Sequence, residues 1–203
     1  MKIVAIDASR RVGIVSRSVE TAAMAAENAG ATVERVHLYD LEIRSCTGCH
    51  MCRATGLCKI QDDLPRLAEA IAGADGVIFG TPSYFRKADD ATRAVLDRLA
   101  GYFSEGPDQL HLPGLGLREI PQEPHVRAAK RAVIITACAA PEPLATFFGY
   151  TTGPLRELRA ALRPGNIRTI GSLTVTDTWR HPAIDEWERD KAQCLGRILA
   201  GKI

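Results

Sequence analysis
The sequence has no long run of one charge, no apolar stretch of the roughly 20 residues that a membrane-spanning helix needs, and no internal repeat or low-complexity tract. Its 26 basic and 24 acidic residues are mixed along the chain to a net charge of +2, so there is no electrostatic footprint for nucleic acid or a membrane surface. The first loop lacks both Gly-x-Gly-x-x-Gly and the Gly-Lys-Ser/Thr ending, which disfavours dinucleotide-fold and nucleoside-triphosphatase readings. Met1-Lys2 leads straight into an apolar run ending at Asp7 without a small-residue cleavage site, so the expected compartment is the cytoplasm. Cysteines there are expected to be reduced metal ligands or redox thiols rather than disulfides.

Cysteine is scarce outside one place. Four of the six fall in Cys46-Thr47-Gly48-Cys49-His50-Met51-Cys52 and, after five further residues, Cys58. Three thiols at two-residue spacing can converge from one tight loop, and the fourth returns past Gly56. Structural zinc usually takes two well-separated Cys-x-x-Cys knuckles, whereas consecutive thiolates with a fourth nearby suit a 4Fe-4S cluster. In ferredoxins the last spacing is three residues followed by Pro; here it is five followed by Lys59. Zinc, a disulfide pair and unligated thiols stay open beside the cluster. Cys138 and Cys194 are expected as small buried apolar residues.

The length suits a single domain over residues 1–203, elaborated by the cysteine-rich loop at 44–60 and a Pro/Gly-rich excursion at 101–130. Pro107, Pro113, Pro121 and Pro124 break the rhythm of that excursion, which is expected to cover a site, to mediate self-association or to form a plain surface loop. Apolar runs predict strands over Lys2–Ala8, Thr32–Leu38, Gly76–Gly80, Ala132–Ala137 and Thr169–Thr176. Helical periodicity predicts helices from about Ser16 to Ala29, closed by Gly30, from Asp62-Asp63 to Gly73, from Ala88 to Leu99, and from Ala183 to Ala200, with two pieces near Leu144–Phe148 and Leu155–Leu162. Trp187, Leu195 and Leu199 are expected among the apolar members of the last helix. Alternating strands and helices imply an α/β three-layer sandwich, most simply a flavodoxin-like five-stranded parallel sheet of order 2-1-3-4-5.

In such a sheet ligands bind beyond the carboxyl ends of the strands. The Ser9–Ser18 segment offers Ser9, Ser16 and Ser18 hydroxyls, Arg10, Arg11 and Arg17 charges, and free amides at a helix start, a set that suits a phosphate monoester. The bland alternative is an N-cap serine with solvated arginines. Pro82-Ser83-Tyr84-Phe85 could stack and hydrogen-bond a flat heterocycle, or its rings could pack as core or lid.

The Ser-x-Arg loop, the compact cysteine motif followed by Asp62-Asp63, and Gly80-Thr81-Pro82-Ser83-Tyr84-Phe85 together resemble the NADPH-dependent FMN reductase superfamily, and within it the iron-sulfur flavoproteins. Relatives commonly carry Gly-Ser-Pro-x-Tyr-Phe at the last position. The resemblance spans roughly residues 1 to 100 and, more weakly, Ala132 to Pro143. It implies that Ser9, Arg11, Ser16 and Ser18, with Arg17 beside them, hold the FMN phosphate. Pro82, Ser83, Tyr84 and Phe85, with Ala137, Cys138 and Ala139, would frame the isoalloxazine, and Cys46, Cys49, Cys52 and Cys58 would ligate a 4Fe-4S cluster. Two departures stand out: the first loop lacks the Asn-Gly-Asn-Thr of many relatives, and the usually Gly-rich third loop is Cys138-Ala139-Ala140-Pro141.

The expectation is therefore an FMN-dependent oxidoreductase of the iron-sulfur flavoprotein type, with NADPH or NADH as electron donor and a small molecule or protein as exchange partner. By the same resemblance it is a homodimer or homotetramer. An NAD(P)H-dependent FMN or quinone reductase without a cluster, and a non-catalytic thiol carrier or sensor, are the alternatives. Asp40, Trp179, His181 and the 101–130 excursion are further candidates for shaping an acceptor pocket.

Overall fold
Successive residues of strand β1 (Lys2–Asp7) point to opposite sides, and here both sides are apolar: Ile3 and Ala5 on one, Val4 and Ile6 on the other, all at most 2% exposed. Such a strand must be covered on both faces, which places it inside a parallel sheet. The computed structural model, which describes residues 1–52, 58–103 and 129–201, shows that arrangement. Strands β2 (Thr32–His37) and β3 (Gly76–Tyr84) flank β1, and β5 (Lys130–Ala137) and β6 (Ile167–Val175) continue beyond β3, all parallel. A two-residue strand, β4 (Lys87–Ala88), folds back antiparallel on the end of β3. The order β2-β1-β3-β5-β6 is the expected 2-1-3-4-5 once β4 is set aside.

Helices α1 (Ile14–Asn28) and α6 (Glu186–Leu199) cover the Ile3 and Ala5 face, packing Val15, Val19, Ala22, Leu195 and Leu199 against Ile78, Val133 and Ile135. Helices α2 (Leu64–Gly73), α3 (Asp90–Phe103) and α5 (Thr152–Leu162) cover the other face with Leu64, Ile71, Val95, Leu99, Leu158 and Leu162 against Val4, Ile6, Phe79 and Ile134. A short helix, α4 (Leu144–Phe147), precedes α5. Among the described residues no helix is long and apolar enough to cross a membrane.

Several boundaries differ from the sequence expectation. Helix α1 begins at Ile14, two residues before Ser16, because Gly13 takes the extended N-cap conformation (φ −137°, ψ −158°). Its end is as expected: Gly30, at φ +90°, closes it, with its amide on the Glu27 carbonyl. Strand β3 runs past the expected end at Gly80 to Tyr84 and reverses at Phe85-Arg86, both in the left-handed region. Helix α6 starts at Glu186, where Asp185 and Glu188 form reciprocal side chain to backbone bonds of 2.7 and 2.9 Å. Trp187 and Cys194 lie off its Ala192, Leu195 and Leu199 stripe and are exposed, contrary to the expectation for both. Of the 101–130 excursion, residues 101–103 finish α3 and Lys130 opens β5; residues 104–128 lie outside the described residues.

Candidate functional site
Gly80 sets the position of α1. A Cβ there would come within 2.2 Å of Val19 Cγ2 and 2.9 Å of Val15 Cγ1, so only glycine lets the first turns of α1 lie this close on β3. The N-terminus of α1 is thereby held over the carboxyl end of the sheet. Gly13 provides no side-chain cap, which leaves the first-turn amides of α1 without a side-chain acceptor. Asp7 staples the loop from beneath, taking the Ser9 amide at 2.9 Å and a short bond from the Ser16 hydroxyl.

A cleft of about 690 Å³ opens here, within the size range of small-molecule and cofactor sites. Its walls come from the β1–α1 loop, the end of β3, the β5 loop and the segment after β6. The last two are knitted together, since Cys138 N donates to Val175 O at 2.9 Å and Thr178 N to Cys138 O at 3.2 Å. Ser9 is 6% exposed and its Oγ has no partner among the described residues. A buried hydroxyl without a partner beside uncapped helix amides fits the phosphate of a bound monoester.

The expected cofactor residues divide into two groups. Ser9, Arg11, Pro82, Ser83, Tyr84, Ala137, Cys138 and Ala139 line this cleft together. Ser16, Arg17, Ser18 and Phe85 are not among its lining residues. Ser16 and Arg17 border a separate groove with Asp7 and His37, Ser18 is fully buried, and Phe85 is 84% exposed at the hairpin tip. Burial pushes the Cys138 thiol up, against a weak bond to the Ala140 carbonyl. Trp179 joins the cleft wall, whereas Asp40 and His181 do not. Sequence reasoning missed Gly13, Ile14, Val15, Thr178 and Pro182 in the lining, and undervalued Arg10. The one usable signal was the glycine before an apolar pair at a helix start.

The cysteine loop is tied at its base. Arg98, on α3, and Asp62 have side chains only 1% and 0% exposed and form a bidentate pair. The Arg98 guanidinium also donates to the carbonyls of Arg44 at 2.8 Å and Ile60 at 3.4 Å. Asp62 accepts the Arg44 and Leu64 amides at 2.9 and 3.2 Å, and Asp63 exchanges two further bonds with Glu42. Burial alone would raise the Asp62 carboxyl; Arg98 and these amides outweigh it and hold the group below the usual carboxylate range.

Within the loop, the Gly48 amide donates to Cys46 Sγ at 3.4 Å, and bonds from the Met51 amide and the Thr47 hydroxyl hold the Cys49 thiol below its ordinary value. Cys46 and Cys49 are exposed, Cys52 and Cys58 half-buried, and none is in a disulfide. Among the described residues no three ligating groups are gathered as a metal set, and residues 53–57, between Cys52 and Cys58, lie outside the described residues. Amides directed at sulfur and a depressed thiol suit thiolate ligation.

The family model for NADPH-dependent FMN reductase matches residues 1–111, just over half of the chain. The chain belongs to that family. An iron-sulfur flavoprotein of Archaeoglobus fulgidus is 35% identical over 103 residues, covering 50% of this chain and 47% of that protein. One from Methanocaldococcus jannaschii is 34% identical over 99 residues, 48% and 51% of the two chains. The match thus spans about half the length of these curated relatives. Among solved structures, a flavone reductase superposes with a TM-score of 0.73 at 19% identity, over 99% of this chain and 62% of its own. An NAD(P)H:quinone oxidoreductase from Methanothermobacter marburgensis gives 0.65 at 16% identity, over 98% and 95%. At such identities these two structures show a shared flavodoxin-like fold.

Proposed function
We propose that this chain is an FMN-dependent oxidoreductase of the iron-sulfur flavoprotein type, a single domain whose cleft holds FMN and whose Cys46–Cys58 loop carries a 4Fe-4S cluster. The observation that carries the flavin reading is the cleft itself. A buried Ser9 hydroxyl without a partner among the described residues and an uncapped helix N-terminus lie at its β1–α1 wall, and Pro82, Ser83 and Tyr84 at its β3 wall. Ser9, Arg10, Arg11 and the α1 amides would bind the phosphate; Pro82–Tyr84 and Ala137–Ala139 would orient the ring and exclude water from one side. When bound, FMN supplies hydride and single-electron chemistry and the cluster supplies single-electron transfer.

Four thiols on a loop with both ends clasped by Arg98 support the cluster, and the naming of relatives matched over about half their length as iron-sulfur flavoproteins agrees. NADPH or NADH is the proposed donor, with a small molecule or redox protein exchanging electrons at the open side. Exposed Phe85, Phe147 and Phe148 support a homodimer or homotetramer.

The test is an anaerobic ultraviolet-visible spectrum with FMN, iron and zinc quantified on one sample. FMN with about four irons per chain is expected, and Cys58→Ser should lose iron while keeping flavin. Flavin without iron would point to the plain reductase. A protein holding neither after reconstitution would leave only a thiol-based role.

A further inference from the structure
Of the three arginines that the sequence offers as charges for a phosphate on the first loop, Arg10 is held by Tyr39. Its Nε donates to the Tyr39 hydroxyl at 3.1 Å, and its guanidinium lies 5.2 Å from the centre of the Tyr39 ring. The Tyr39 hydroxyl in turn donates to Asp89 Oδ2 at 2.6 Å. Asp89 is 2% exposed, and its other oxygen takes the Thr92 amide at 3.0 Å and the Thr81 hydroxyl at 3.2 Å, so it is anchored to both α3 and β3. Burial and the bond to Asp89 push the Tyr39 phenol up to about 12, which keeps its proton in place to serve Asp89 while its oxygen accepts from Arg10. Arg11, by contrast, is exposed and has no partner among the described residues.

A guanidinium held by two aligned contacts gives up less side-chain freedom on binding than a free one, so more of its interaction with an anion appears as affinity. Arg10 lines the cleft beside Ser9, whose buried hydroxyl has no partner among the described residues, and beside the uncapped start of α1. We propose that Arg10, positioned by Tyr39 and Asp89, is the residue through which the cleft prefers a phosphorylated flavin over its unphosphorylated form. This deepens the flavin reading above and rests on it. Tyr39 is a positioning residue in this scheme, acting only through Arg10.

The test titrates flavin-free protein with FMN and with riboflavin, following quenching of flavin fluorescence. Arg10→Met should cost FMN affinity on the order of tenfold and leave riboflavin affinity unchanged. Tyr39→Phe should lower the FMN-to-riboflavin ratio several-fold by freeing the guanidinium, again without changing riboflavin. In the unmodified protein the ratio should fall as salt rises, and in Arg10→Met this salt dependence should be weaker. An unchanged ratio in Arg10→Met, or equal loss of both flavins, overturns the proposal while the flavin reading stands. A wild-type protein that binds neither flavin sinks both. If Arg10→Met does not fold, the Tyr39→Phe ratio and its salt dependence decide, and an unchanged ratio there overturns the positioning scheme.

Discussion

Arg98 and Asp62 illustrate how much a single buried pair can organise. Their mutual charge is removed from water, and the backbone of residues 44 and 60–64 hangs on them, so the two ends of the cysteine loop cannot separate without stranding a charge. Asp62→Asn is expected to lower stability by about 3–5 kcal/mol in denaturant unfolding near neutral pH, because Arg98 is left uncompensated. The pH dependence has a definite sign. A carboxyl whose folded value is depressed contributes stability above its unfolded value, about 3.9, and loses that contribution as pH falls through the folded value. The gap between wild type and variant should therefore be flat from neutral pH to about 4 and close below it; a gap that stays constant to about pH 2 contradicts the pair.

At the scale of elements, the placement of α1 is decided by β3. Gly80 is the only residue type that lets Val19 and Val15 sit where they do, and the N-terminus of α1 is a wall of the cleft. Gly80→Ala should push the helix outward, costing about 1–3 kcal/mol as overpacked cores do. It should weaken flavin binding at the same time, and trimming Val19 to Ala should restore part of both. Thermal unfolding with flavin titration of the single and double variants checks this; a Gly80→Ala protein that is destabilised but binds flavin normally would separate helix placement from the cleft.

For the whole molecule, the topology brings three of the exposed phenylalanines toward one another. The β3–β4 hairpin tip packs on the α4–α5 connection: Ser83 Oγ donates to Tyr150 O at 2.8 Å, and a Cβ on Gly153 would lie 1.8 Å from Arg86 O. Phe85 at that tip, and Phe147 and Phe148 on the adjoining segment, therefore belong to one neighbourhood. Light scattering should report at least twice the single-chain mass, and Phe147→Glu should shift it toward the monomer. A wild-type mass equal to one chain would rule out the proposed homo-oligomer.

Much of the fold was legible in residues 1–8, 76–80 and 132–137, where short β-branched runs between helical periods can satisfy both of their apolar faces only inside a parallel sheet. The cysteine spacing was equally local information, and the ligand set read from it stays a proposal. The roles of the serines and arginines on the first loop were not legible. Because α1 begins at Ile14, Ser16 and Ser18 lie on the helix itself, where a turn of about 100° per residue and the packing of Val15, Val19 and Ala22 on the sheet fix their directions. Ser16 is thereby directed to Asp7, Ser18 is buried, and Ser9 is left for the cleft. The pairing of Arg10 with Tyr39 and Asp89 joins residues 29 and then 50 positions apart, contacts that exist only because β1, β2 and β3 lie side by side. Sequence by itself determined the layers, because they follow from near neighbours; which charge and which hydroxyl face the cleft was decided by the packing of distant elements.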